Sequence, residues 1–152
     1  MNWRTLAFSF RGRLNRAKYW LVLLIGMVIS AVCVGVEGAY MSGLQMGMYG
    51  DASGGIIALI GVMTIILLFV LWSSLAIGCK RLHDRNKSAV WLVLFWLAPS
   101  VLYAIGQSIG ANGAGAFVAL VGAAIAIWGL VEIGFLKGTT GPNNFGPDPL
   151  SP

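Results

Sequence analysis

Charge is scarce in this sequence. Asp and Glu number five in 152 residues, and all charged residues together make up 10%. A soluble domain carries roughly 25% charged residues, so this chain has too little charge to cover a water-facing globule. Histidine occurs once and cysteine twice, which makes a poor metal site. Cys33 lies late in the first apolar run and Cys79 at the end of the second, so if both runs span they sit at opposite membrane faces, too far apart for a bridge that needs Cα atoms within about 7 Å. Both read as small packing residues. No H-E-x-x-H, G-x-S-x-G or G-x-x-x-x-G-K-[ST] pattern is present, so no cofactor is expected and no nucleophile or phosphate loop announces an enzyme.

The chain is instead 58% hydrophobic, with mean hydropathy +0.83. A helical membrane span needs about 20 mainly apolar residues. Four such runs fit, at about 19–39, 56–77, 89–109 and 116–136. The expected fold is an all-α integral membrane protein, a single membrane domain over residues 1–152. A signal peptide also has a basic head and an apolar middle. The first run is long enough to span, however, and no convincing small-residue cleavage site closes it, so it reads as a transmembrane helix.

The stretch that organises the rest is Gly78-Cys79-Lys80-Arg81-Leu82-His83-Asp84-Arg85-Asn86-Lys87. It holds four of the ten basic residues, the one histidine and one of the five acids. It reads as a charged hairpin loop, 78–88, between the second and third spans. With four spans, the N-terminal segment 1–18, this hairpin and the tail 137–152 lie on one side. All ten Lys and Arg fall in those three segments. The positive-inside rule then expects both termini in the cytoplasm. Met41 to Gly55 and Gly110 to Gly115 read as loops on the other side. The net charge of +5 faces anionic headgroups rather than nucleic acid, so nucleic-acid binding is not expected.

Within the spans, Tyr19 and Trp20 suit the aromatic belt, and Glu37 should emerge near the far interface. Pro99 can kink the third span. Gly115, Ala119, Ala123 and Ile127 recur every four residues, as do Gly122 and Ala126, and Gly106 and Gly110. Small residues at this spacing let helices approach closely, either within the chain or between two copies. Glu132 is the acid nearest the apolar interior. The Gly- and Pro-rich tail from Gly138 to Pro149 reads as extended and turn-rich.

Three polar stretches carry a resemblance. Phe10-Arg11-Gly12-Arg13-Leu14-Asn15-Arg16-Ala17-Lys18-Tyr19-Trp20 resembles F-x-G-R-x-x-R-x-x-[YF]-W. Arg81-Leu82-His83-Asp84-Arg85-Asn86-Lys87-Ser88, with Trp91 after it, resembles R-R-L-H-D-x-x-K-S-G-W, with Lys80 for the first Arg and Ala89 for the Gly. Gly138 to Pro149 resembles G-x-x-G-x-N-x-[YF]-G-x-D-P. In this order, around matching spans, they resemble the bacterial inner-membrane family called domain of unknown function 805. That resemblance implies a location and an architecture, without a substrate.

Four function classes follow from the charged face. Arg11, Arg13, Asn15, Arg16, Lys80, Arg81, His83, Asp84, Arg85, Lys87, Asn143 and Asp148 are its candidate residues. In the first reading they form a structural clasp of a non-catalytic scaffold or adaptor. Asp84 and Asp148 pair with arginines, while Phe145 and Trp91 wedge the tail. In the second the same cations hold an anionic lipid or ligand, with Arg81 and Arg85 central. The third makes His83 and Asp84 an acid–base pair. The fourth is a small oligomeric transporter or channel, although the middles of the spans lack charge. Expected partners are membrane lipids, anionic ones included, and a second copy or another membrane protein.

Overall fold

The structure is a computed structural model that describes residues 3–48, 53–110 and 113–150. Five helices follow in order: α1 Trp3–Phe8, α2 Arg16–Gln45, α3 Ser53–Asp84, α4 Val90–Ile109 and α5 Gly113–Leu130. A π-helical turn, Val131–Phe135, continues α5. Among the described residues, β structure amounts to one isolated bridge between Asn143 and Gly146. Four segments are long and apolar enough to cross a membrane: Arg16–Gln45, Gly54–Asp84, Val90–Ile109 and Gly113–Phe135.

Asn15 starts α2 by accepting a bond from the Lys18 amide at 3.0 Å, in extended backbone geometry. This satisfies one of the orphan N–H groups of a helix start. α2 runs 30 residues, about 45 Å at 1.5 Å per residue. It therefore reaches beyond the expected 19–39, and Met41 to Gln45 are helical rather than loop. Glu37 lies inside this helix rather than at its end. Asp51 falls outside the described residues.

The largest departure from the sequence reading concerns 78–88. Gly78 to Asp84 belong to α3, and the connection to α4 is only residues 85–89. The stop is set by Asn86, at φ +56°, a left-handed conformation that Asn tolerates better than most residues. The Lys87 amide bonds Leu82 O at 2.9 Å, and the Asn86 amide bonds His83 O at 3.0 Å. These are the two bonds of a Schellman stop. Charged residues can stay helical here because the protein supplies their partners, as described below.

The helices form two hairpins. α4 packs along α5 through glycines: a methyl at Gly106 would lie 2.7 Å from Gly115 O, and one at Gly129 would lie 2.7 Å from the Phe95 Cβ. At Gly122 it would meet Pro99 O at 3.1 Å. The contact stripe on α5 is thus Gly115, Gly122 and Gly129, all buried, a seven-residue repeat. Gly106, Gly110, Gly115, Ala119 and Gly122 of the four-residue series do lie in this contact, whereas Ala123, Ala126 and Ile127 are exposed, so that spacing marks the packed face only in part. α2 pairs with α3, with Gly26 facing Val70.

The two hairpins meet at one end. Gly78 of α3 faces Leu92 of α4, and α2 reaches the second hairpin through the π turn. The buried core lies there too: Leu14, Tyr19, Ile77, Cys79, Leu82, Leu92, Phe95 and Ile133. Elsewhere the helices expose apolar side chains such as Leu24, Val28, Leu68 and Phe117, a surface suited to lipid. α1 folds back on α3, where Phe8 meets Phe69 and Phe10 meets Trp72 edge to face.

Candidate functional site

Asp84 stands at the centre of the charged end, 3% exposed. It accepts from Arg13 Nε at 3.0 Å and from the Arg81 guanidinium one helical turn earlier. Arg13 also donates to the carbonyls of Thr139 and Gly141. Arg81, fully buried, donates to Ile133 O at 2.8 Å and to Leu136 O. Those carbonyls belong to the end of the last helix, where no later N–H remains to take them. The end of a helix also carries partial negative charge, so it suits a guanidinium.

The pattern repeats around this centre. Lys80 is fully buried, and its Nζ donates to the Thr5 and Leu6 carbonyls near the end of α1. Arg16 donates to Phe135 O at 2.9 Å. Arg85 pairs with Glu132 at 2.9 Å and donates to Lys137 O. Lys87 reaches the same Glu132 at 3.1 Å and lies over the Trp91 ring at 4.7 Å. Backbone joins in: the Leu14 amide donates to Lys80 O at 3.3 Å, and the Thr139 amide to Asp84 O at 2.8 Å. Among the described residues, no buried side-chain nitrogen or oxygen lacks a partner.

His83 faces the tail and the N-terminal segment rather than Asp84. Its Nδ1 lies 3.2 Å from Gly12 O, a carbonyl that can only accept, so Nδ1 carries the proton. Its ring stacks on Phe145 at 4.1 Å with planes 4° apart. Asn143 donates to His83 O at 2.9 Å and to Thr139 Oγ1 at 2.8 Å, and its own Oδ1 accepts from the Phe145 amide. Asp148 accepts from the amides of Gly141 and Leu150, both at 2.9 Å. Those two N–H bonds hold its carboxyl below the usual carboxylate range, and the Arg13 charge adds to this.

The twelve residues singled out from the sequence thus divide. Arg13, Arg16, Lys80, Arg81, His83, Asp84, Arg85, Lys87 and Asn143 tie separate segments together. Asn15 caps α2, Asp148 holds a turn within the tail, and Arg11 is exposed. Arg81 is too deeply enclosed to meet a headgroup. Trp91 packs with Phe95 and Trp128 rather than against the tail. Sequence reasoning missed Thr139, Gly138 and the π turn. A methyl on Gly138 would run into the Asp84 carboxylate, which gives that glycine a steric reason. It also missed Trp20 Nε1, which donates to Gly134 O at 3.0 Å.

Four apolar helices gathered at one end by a buried, three-segment polar knot define a multi-pass helical membrane protein. Residues 7–147 match the family described as Protein of unknown function (DUF805), and the chain belongs to it. Similar proteins include Inner membrane protein YhaH of Escherichia coli strain K12, 28% identical over 93% of this chain and 87% of that protein. Uncharacterized protein YiiR of the same strain is 26% identical over 93% of this chain and 86% of its own length. Inner membrane protein YhaI is likewise 26% identical, with the same two shares. No solved structure matches the chain. With its relatives and its four apolar helices, the chain is a multi-pass inner-membrane protein.

Proposed function

We propose that this protein is a non-catalytic membrane scaffold or adaptor whose charged end is a clasp. The observation that carries this reading is the use of the motif residues. Asp84 engages Arg13 and Arg81, and not the His83 imidazole beside it in sequence. The other buried cation, Lys80, faces backbone carbonyls. Side chains engaged in this way hold chain segments together and leave no acid–base pair aimed at a substrate. The clasp fixes how two membrane hairpins diverge from a common end, and so which apolar faces they offer to neighbours.

The clasp end faces the cytoplasm in this reading. All ten Lys and Arg lie in the segments that meet there, and the sequence joining the other helix ends contains none. That asymmetry favours a cytoplasmic location for basic loops and for both termini.

Two measurements test the proposal. A photo-crosslinker at exposed Val28 of α2 or Leu68 of α3 should give one discrete protein adduct in native membranes, unchanged in the Arg11→Gln variant, whose side chain lies outside the clasp. Lipid adducts alone, or loss of the adduct in that variant with folding intact, would contradict a scaffold built on a structural clasp. A cysteine at Lys87 should react with an impermeant thiol reagent in inverted vesicles and stay protected in intact cells. The reverse labelling would overturn the orientation.

A further inference from the structure

Beside the clasp, between the start of α2 and the π turn, lies a groove of about 420 Å³. Its floor is apolar: Trp20 and Phe135 meet edge to face, with centroids 5.5 Å apart, and Leu150 closes one side. Asn15 and Arg16 form its rim. A second groove of about 260 Å³ adjoins it, sharing Asn15, Arg16 and Leu150 and adding Lys137. The two form one cleft, with an apolar half and a charged half. It lies at the Arg16 end of the span Arg16–Gln45 and the Phe135 end of the span Gly113–Phe135, where apolar helix gives way to charged sequence.

We propose that this cleft binds one anionic phospholipid, the phosphate at Arg16 and Lys137 and an acyl chain over Trp20 and Phe135. This site adjoins the clasp and shares Arg16 and Asp84 with it, but the Lys137 side chain belongs to the cleft alone. Arg81 is consumed inside the protein, whereas Arg16 and Lys137 are exposed. Arg16 gives one N–H to Phe135 O, and a guanidinium has five. The Lys137 ammonium has no ion-pair partner among the described residues. Two carboxylates also line the second groove, Asp84 and Asp148. Asp84 is already matched by Arg13 and Arg81, so the local balance is four cations against two acids. The combined shape, an aromatic and apolar floor below a cationic rim, fits a phosphate that carries a hydrocarbon chain better than a free phosphate. Clefts of 300–1,000 Å³ are ordinary for small-molecule sites.

The test is native mass spectrometry of the full-length protein titrated with phosphatidylglycerol, phosphatidylcholine or soluble glycerol phosphate. The wild type should hold one phosphatidylglycerol per chain in preference to the other two probes. Each cation near a headgroup contributes a factor of about five, so Arg16→Gln/Lys137→Gln should weaken binding about 25-fold. Lys137→Gln alone, which removes no hydrogen bond of the fold, should weaken it about fivefold. Arg4→Gln, outside the cleft, should bind like the wild type. Equal binding by the Lys137→Gln variant, or equal binding of phosphatidylcholine, would overturn the site. Glycerol phosphate binding as tightly as the lipid would make it a soluble-anion site and overturn the lipid assignment.

Discussion

Asp84→Asn is the sharpest perturbation of the clasp. Asp84, Arg13 and Arg81 are 3%, 6% and 0% exposed, so the carboxylate neutralises two guanidiniums away from water. Asparagine keeps the shape and removes the charge. Its amide also brings N–H groups where two guanidiniums already donate. Removing one partner of a buried ion pair costs about 3–5 kcal/mol, a large part of a typical stability of roughly 5–15 kcal/mol. At about 2–4 °C per kcal/mol for a chain of this size, the melting temperature should fall by about 6–20 °C. The assay is thermal unfolding of purified protein in one fixed detergent, followed by helical circular dichroism. Arg11→Gln, on the exposed surface, should melt with the wild type. Arg13→Ala should also destabilise, and the Arg13→Ala/Asp84→Asn double variant should lose clearly less than the sum of the two. A melting temperature for Asp84→Asn within about 2 °C of the wild type would refute the reasoning, because an unbalanced buried pair of guanidiniums cannot be that cheap.

Three other outcomes follow. Gly129→Ala should destabilise by about 1–3 kcal/mol, since its methyl overlaps Phe95, whereas Ala123→Val on the exposed face should be near neutral in the same melts. Phe145→Ala removes the ring stacked on His83 and should cost about 1 kcal/mol, with faster proteolysis of the tail; an unchanged digestion rate would argue against the stack. Asp148 has a folded carboxyl below its ordinary value of 3.8. The stability it lends to the tail turn is therefore fully present above that value and is lost as pH falls through the lower folded one. The amide resonance of Gly141 should titrate with a midpoint under 3.8, and a midpoint above it would contradict the bonding.

The four spans were legible because lipid leaves few options: apolar runs of about 20 residues must be helices. The course of Gly78 to Asp84 was not. Charges next to a span read as a loop because water is their usual partner. Here the carbonyls of the π turn, of α1 and of the tail replace water for Lys80, Arg81 and Arg13, and nothing in the local sequence announces those acceptors. The tail motif showed glycines and asparagines, and only the fold shows that Gly138 leaves room for Asp84. The α4–α5 contact was legible in part. The four-residue spacing picked out Gly106, Gly115 and Gly122, which do pack, but it also drew attention to Ala123 and Ile127, which face outward, and passed over Gly129, seven residues after Gly122. α1 gave no such signal, with six residues and no acid in its first turn. The residues of the charged end were recognisable as a set, yet whether they bind one another or a ligand depends on distances that only the folded chain supplies.

The central claim is that three segments far apart in sequence are bonded into one clasp. Amide hydrogen exchange of the protein in lipid nanodiscs tests it most directly, at Leu14 and Thr139. These amides donate to Lys80 O and Asp84 O and belong to no helix. The account predicts strong protection at both in the wild type, lost together in Asp84→Asn while the centres of α2 and α3 stay protected. Exchange of Leu14 and Thr139 at free-peptide rates in the wild type would contradict it.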